Sequence, residues 1–191
     1  MTELCEIAFK YGTDKCPQLG HSYTPFYYEL LKDKRETFKK VLELGVGSQE
    51  LMFWTPEHYQ TGAGLLMWRD FFPKAQIYGV DIGQSAIFQA ERISTFLLDT
   101  KSQLDMSKLV GNIGSDIDLV IDDGNHNGRA QIHAVRNLMP LLKRDCLYII
   151  EDAKRPLAIR DKLSREYDCE AFEFNRRHKQ RHDALIVVKH K

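Results

Sequence analysis

The sequence predicts an open, doubly wound α/β sheet, and three observations predict it. Short, nearly all-apolar runs recur along the chain, each closing on a turn residue or an acid: K-V-L-E-L-G (40–45), Q-I-Y-G-V-D (76–81), D-L-V-I-D-D-G (118–124) and C-L-Y-I-I-E-D (146–152). Strands covered on both faces of a parallel sheet read this way, because neither face meets water. Helix-length amphipathic stretches separate the runs, and strand–helix alternation builds a mostly parallel sheet with helices on both sides. Finally, 191 residues with 43% apolar side chains are enough for one domain with a real core.

Each element has its own signal. Residues 1–38 precede the first run and read as a helical N-terminal extension; residues 39–191 form the main unit of a single-domain chain, with no repeat or linker between them. Within the extension, Thr24 reads as an N-cap and Pro25 as the first helical residue of F-Y-Y-E-L-L-K-D-K-R. The loop before it carries K-Y-G-T-D-K, and the extension either closes over the ligand edge of the sheet or simply packs. The helix G-A-G-L-L-M-W-R-D-F-F-P stops at Pro73, with Met67 and Trp68 as core residues. A second helix lies around Leu104 to Val110, and a third, R-A-Q-I-H-A-V-R-N-L-M-P-L-L, is stopped by Pro140. E-A-F-E-F and A-L-I-V-V pair as a C-terminal antiparallel hairpin.

Charge excludes several classes. Lys+Arg and Asp+Glu number 27 each, which argues against a nucleic-acid binder working by bulk charge and against a polybasic membrane anchor. No apolar run approaches the roughly 20 residues of a membrane helix, and no signal peptide opens the chain. The 4 cysteines are scattered without a CxxC, so reduced thiols and a cytoplasmic protein are expected.

In open α/β sheets ligands bind beyond the carboxyl ends of the strands, and all four runs are polar there. The first ends in Glu43, Gly45, Gly47 and Ser48, a G-x-G turn that either lets a ligand approach the backbone or is only tight. Glu50 stands where a dinucleotide fingerprint wants its third glycine. Asp81 suits the hydroxyls of a ribose or caps a helix. Asp99 reaches an adenine amino group or sits in a solvated turn. Asp122, Asp123, Glu151 and Asp152 end two neighbouring strands, so their like charges call for a hard cation such as Mg²⁺ unless some of them are caps. His126, in D-G-N-H, is suited to act as a general base beside that cluster. The long segment at 48–60, with Phe53, Trp54 and Tyr59, reads either as a lid or as a contact between copies. The basic stretch with His178 and His182 reads as a solvated loop or an anion attractor.

K-Y-G-T-D-K, H-S-Y-T-P-F-Y, V-L-E-L-G-V-G, L-M-W-R-D-F-F-P-K-A-Q-I-Y-G-V-D-I, V-I-D-D-G-N-H and I-I-E-D occur in one order, from about residue 10 to about residue 152. In this the chain resembles the class I S-adenosylmethionine-dependent methyltransferases, within them the metal-dependent sugar O-methyltransferases of macrolide and polyketide glycosides. The resemblance implies a Rossmann-like sheet of seven strands, S-adenosylmethionine and Mg²⁺ as cofactors, and an acceptor with vicinal hydroxyls. It implies a cofactor side made by Tyr11, Glu43, Gly45, Gly47, Asp81, Asp99 and Asp122. It further implies Asp123, Glu151 and Asp152 as metal ligands and His126 as the base. The chain departs from the family pattern at Asn125 and Ala130, where the family has Ser and a second His, and at Arg144-Asp145, where it has Gly-Gly. The alternative is a degenerate methyltransferase fold that serves as a cofactor-binding or interaction module.

Overall fold

Eight strands form one sheet in the order β3-β4-β2-β1-β5-β6-β8-β7. The computed structural model describes residues 1–52, 55–174 and 183–191. In chain order the elements are α1 (Glu3–Tyr11), α2 (Tyr23–Leu31), β1 (Lys40–Leu44), α3 (Ala63–Phe71), β2 (Gln76–Asp81), β3 (Gln89–Ala90) and β4 (Ile93–Leu97). They continue with α4 (Gln103–Ile113), β5 (Leu119–Asp122), α5 (Gly128–Leu138), β6 (Leu147–Ile150), α6 (Pro156–Leu163), β7 (Tyr167–Glu173) and β8 (Ala184–His190). The four apolar runs are β1, β2, β5 and β6, parallel to one another. The C-terminal hairpin is β7 and β8, with β8 antiparallel to β6. The eighth strand, beyond the seven expected, is the two-residue edge strand β3, which pairs antiparallel with β4.

The order reverses at β1, which has β2 on one side and β5 on the other. That switch point opens a crevice at the carboxyl edge. Two apolar layers sandwich the sheet. One joins Val41, Ile77, Leu119 and Ile149 to Leu65, Met67, Trp68 and Phe71 of α3, and to Leu4, Ala8, Tyr23, Tyr27 and Leu31 of α1 and α2. The other joins Leu42, Val120, Tyr148 and Ile150 to α4, α5 and α6. The N-terminal helices thus bury their apolar faces in the same core as α3.

Three helices differ from expectation. α2 begins at Tyr23 behind Ser22, so Thr24 lies inside the helix. Its hydroxyl is turned inward, 3.1 Å from Cys5 Sγ, and is not available to cap. α1 and α6, with 9 and 8 residues, were not separately expected. α1 is capped at both ends: the Thr2 hydroxyl accepts from the Cys5 amide, and Gly12 at φ 80 closes its C-terminus. No helix among the described residues is long and apolar enough to cross a membrane. The expectations for Phe53, Trp54, His178 and His182 lie outside the described residues.

Candidate active site

A cleft of about 1350 Å³ runs along the carboxyl edge of the sheet. On the β1–β2 side its floor is the turn Gly45-Val46-Gly47. Gly45 sits at φ 90, and a Cβ there would run into the Asp123 carbonyl, so the turn passes flat against the β5 end. Asp81 braces this turn: Oδ2 accepts from the Val46 and Gly47 amides at 2.9 and 3.1 Å, and Oδ1 accepts from Gly83 at 2.8 Å. A carboxylate has about four lone-pair directions, so Asp81, facing the cleft, retains accepting capacity. Asp99 also lines the cleft and accepts from the Lys101 amide at 2.9 Å, in the turn that leads into α4.

At the ends of β5 and β6 the acids separate. Successive strand residues point to opposite faces. Asp122 therefore enters the core layer, accepts a 2.8 Å bond from the Tyr148 hydroxyl, and does not line the cleft. Burial lifts its pKa to about 7 despite that bond. Asp123 points into the cleft. Its Oδ1 lies 3.3 Å from His126 Nε2, while His126 Nδ1 lies 3.4 Å from Asp152 Oδ2. Asp123, His126 and Asp152 can each offer one ligand atom with all three within 4.8 Å of one another. Asp152 sits at φ 51, a left-handed conformation that Asp tolerates better than most residues and that recurs at functional sites. Tyr23 holds it there, its hydroxyl donating to Oδ1 at 2.5 Å.

Glu151 turns the other way, towards the N-terminal helices. Its carboxylate accepts from the Tyr27 hydroxyl and from Lys15 Nζ, each at 2.5 Å. Lys15, only 3% exposed, also lies 2.5 Å from Asp123 Oδ2 and 3.2 Å from Glu43 Oε1. Glu43 has room because α3 carries Gly64 opposite it; a Cβ there would come within 2.5 Å of Oε1. Its Oε2 has no hydrogen-bond partner.

Lys15 serves Glu43, Asp123 and Glu151, while Asp152 lies against His126 and His21. Burial lifts Glu43 to about 7 against the opposing charge of Lys15. Burial likewise holds Glu151 well above the usual carboxylate range, and burial with the charge of Asp123 raises Asp152. Burial pushes Asp123 up too, but the Lys15 charge and the His126 hydrogen bond outweigh it and leave it lowered. Burial disfavours the His126 cation, yet the bond and charge of Asp123, with Asp152 and Glu151, raise it to about 9. Asp123 and Asp152, two oxygen donors facing the cleft beside His126, suit a hard divalent cation.

Comparison with known proteins fits this geometry. The mycinamicin VI 2″-O-methyltransferase of Micromonospora griseorubida is 34% identical over 150 residues, covering 78% of this chain and 36% of that protein. The 8-demethyl-8-alpha-L-rhamnosyl tetracenomycin-C 2′-O-methyltransferase of Streptomyces olivaceus is 32% identical over 149 residues, covering 78% of this chain and 37% of that protein. The solved structure of the MycE methyltransferase from the mycinamycin biosynthetic pathway, in complex with Mg, SAH and mycinamycin VI, matches at 27% identity with a TM-score of 0.78. That match covers 100% of this chain and 55% of the other.

The chain belongs to the class I S-adenosylmethionine-dependent methyltransferases.

No family model matches it. The chain spans 36% and 37% of the length of these two relatives, little over a third. Within this class I methyltransferase, Gly45, Gly47, Asp81, Asp99, Asp123, His126 and Asp152 line one cleft, and Glu43 and Lys15 border it. Tyr11 does not: its hydroxyl donates to Asp70 on α3 at 2.6 Å, and the loop after it, Gly12 to Lys15, lines the cleft instead. Tyr59 is buried with Tyr11 and Ala63, so this part of the 48–60 segment packs against the N-terminal loop. Lys15, Tyr23 and Tyr27 were not singled out from the sequence. Their signal was present in K-Y-G-T-D-K and H-S-Y-T-P-F-Y, polar and aromatic motifs too far upstream to be attached to a strand end. His21 is buried, pairs with Asp183 and stacks on Tyr23 at 4.8 Å.

Proposed function

We propose that the chain is a divalent-metal-assisted O-methyltransferase unit that methylates a hydroxyl of a sugar, in a glycosylated small molecule or a polysaccharide. The observation that carries this reading is the Asp123–His126–Asp152 cluster facing the same cleft as the glycine turn. The acceptor class is supported by the relatives, which are named as the 2″-O-methyltransferase of mycinamicin VI and the 2′-O-methyltransferase of a rhamnosyl tetracenomycin.

The roles follow from the chemistry of each group. Gly45 and Gly47 would run beneath S-adenosylmethionine, Asp81 would accept from its ribose hydroxyls, and Asp99 would sit at its adenine edge. Asp123 and Asp152 would hold Mg²⁺, joined by Glu151 once Lys15 releases it. Glu43 would act through Lys15. When bound, the cation supplies Lewis acidity that makes a sugar hydroxyl more acidic, and S-adenosylmethionine supplies the electrophilic methyl. His126 Nε2 would take the hydroxyl proton while Nδ1 stays on Asp152, which fixes the ring. Tyr23 and Tyr27 would keep Asp152 and Glu151 oriented through their hydroxyls. All four cysteines are free, and the compartment we assign is the cytoplasm.

A second reading, a fold that binds cofactor without turnover, draws on Lys15 already occupying the carboxylates. Calorimetric titration of S-adenosylhomocysteine, with Mg²⁺ and with chelator, tests the cofactor assignment. Micromolar binding is expected, and no binding in either condition would overturn it. A radiolabelled methyl-transfer assay with sugar acceptors then separates the two readings: incorporation that needs Mg²⁺ supports the enzyme, and binding without incorporation supports the module.

A further inference from the structure

Beyond the acidic cluster, the cleft carries a group of basic side chains that the proposed reaction does not use. Arg129 lies in the first turn of α5, Arg155 is the residue that caps α6, Lys154 precedes it, and Lys162 follows two turns later; all four line the cleft. The packing of α5 on α6 brings them together. Ile159 lies so close to Gly128 that a Cβ on that glycine would sit 3.1 Å from Ile159 Cδ1. Arg129 is the next residue along α5, and Arg155 and Lys162 lie within a turn of Ile159 on α6. Lys101, from the turn before α4, borders the same corner beside Arg129.

Two features bear on what this wall can hold. All five side chains are exposed, and among the described residues none of them is tied up in a hydrogen bond or ion pair, so each is free to meet a ligand in the cleft. Arg129 and Arg155 also stand at the wrong helix ends. Helix N-termini carry partial positive charge and favour acids, yet the first turns of α5 and α6 contain none. Unpaired cations and two positive helix ends converge on one wall, a few residues after His126 and Asp152 and across the switch point from Gly45 and Gly47.

We propose that this wall binds an anionic group on the acceptor, so that the sugar methylated carries a phosphate ester or a carboxylate close to its reacting hydroxyls. The inference rests on the methyltransferase reading and narrows its substrate class. An acceptor anchored by Arg129 and Arg155 at one end would present its hydroxyls to Asp123, Asp152 and His126 at the other. Guanidinium groups suit either anion, since their paired N–H donors match two oxygens at once.

The test is calorimetric titration of the Mg²⁺-loaded protein, saturated with S-adenosylhomocysteine so that the cofactor's own carboxylate is accounted for. The probes are glucose 1-phosphate, glucuronate and methyl glucoside. At least one anionic sugar is expected to bind about tenfold or more tightly than the neutral one. The double variant R129Q/R155Q should erase that preference while its S-adenosylhomocysteine affinity stays within about twofold. Phosphate and carboxylate are distinguished by which arm shows the gain. Equal binding of all three sugars, no binding of either anionic sugar at millimolar concentration, or a preference that survives in the variant would overturn the proposal. Failure of the cofactor titration would instead strike the methyltransferase reading, and the sugar titrations repeated without cofactor still read the basic wall.

Discussion

His126 is poised between two carboxylates, 3.3 Å from Asp123 and 3.4 Å from Asp152, and their charge lifts its pKa to about 9. At neutral pH that favours the imidazolium, which cannot accept a proton; a divalent cation among the same carboxylates opposes this and favours the free base. The role proposed for His126 is therefore tied to the proposed metal. Replacing His126 by alanine is expected to lower kcat by about 10²–10⁴-fold, the usual cost of a lost positioned base, with cofactor affinity unchanged. Single-turnover rates beside a cofactor titration would check this, and near-normal turnover would remove His126 from the reaction. At this scale much of the site was legible. The strand-end acids and D-G-N-H stand next to their strands in sequence, so fold class alone carried Asp81, Asp123, His126 and Asp152 to the crevice. Side-chain direction was not legible. Asp122 and Glu151 differ from their neighbours by one residue, and that one step sent Asp122 to Tyr148 and Glu151 to Tyr27 and Lys15.

Between elements, α1 docks on α3 through a polar clasp at the edge of an apolar contact. The Tyr11 hydroxyl and Lys10 Nζ both donate to Asp70 Oδ2, and Arg69 donates to Oδ1. Burial pushes the Asp70 carboxyl up, but the hydrogen bonds from Tyr11, Lys10 and Arg69 outweigh it and hold its pKa below the usual value. A depressed acid stabilises the fold above its unfolded pKa and loses that contribution as pH falls through the folded one. From about pH 5 down to about pH 3, the wild-type melting temperature should therefore fall further than that of Asp70→Asn, which lacks the titrating group. Thermal melts of both proteins across that window decide it, and parallel curves would mean the clasp contributes nothing. The long apolar strands and proline-stopped helices were readable because their periodicity spans many residues. α1, α6 and β3 were not. They are short, and contacts distant in sequence select them: α1 by the core around Trp68, and β3 by its pairing with β4.

Across the whole molecule, α1 and α2 pack into the same apolar cluster as α3, and Lys15 is where the electrostatics of the N-terminal residues meet those of the sheet. Residues 1–38 read from the sequence as a helical extension, and Leu4, Ala8, Tyr23, Tyr27 and Leu31 within it belong to the same apolar cluster as Met67, Trp68 and Phe71. Behind that cluster, Lys15 is the lone ammonium among Glu43, Asp123 and Glu151 within the described residues. Removing one partner of a buried ion pair costs about 3–5 kcal/mol, because the other charge is left without compensation. Three acids depend on this lysine, and Glu43 already has one orphaned oxygen. Lys15→Met should therefore melt well below wild type in chelator. The same substitution removes a positive charge from the place where a cation would bind, so Mg²⁺ should bind the variant more tightly and restore more of its melting temperature than it adds to wild type. Melting in chelator and in a Mg²⁺ series, with Mg²⁺ affinity measured by calorimetry, reads both effects. A variant as stable as wild type in chelator would show that Lys15 is not the counter-ion of the cluster. Equal Mg²⁺ affinities would show that lysine and metal do not share those charges.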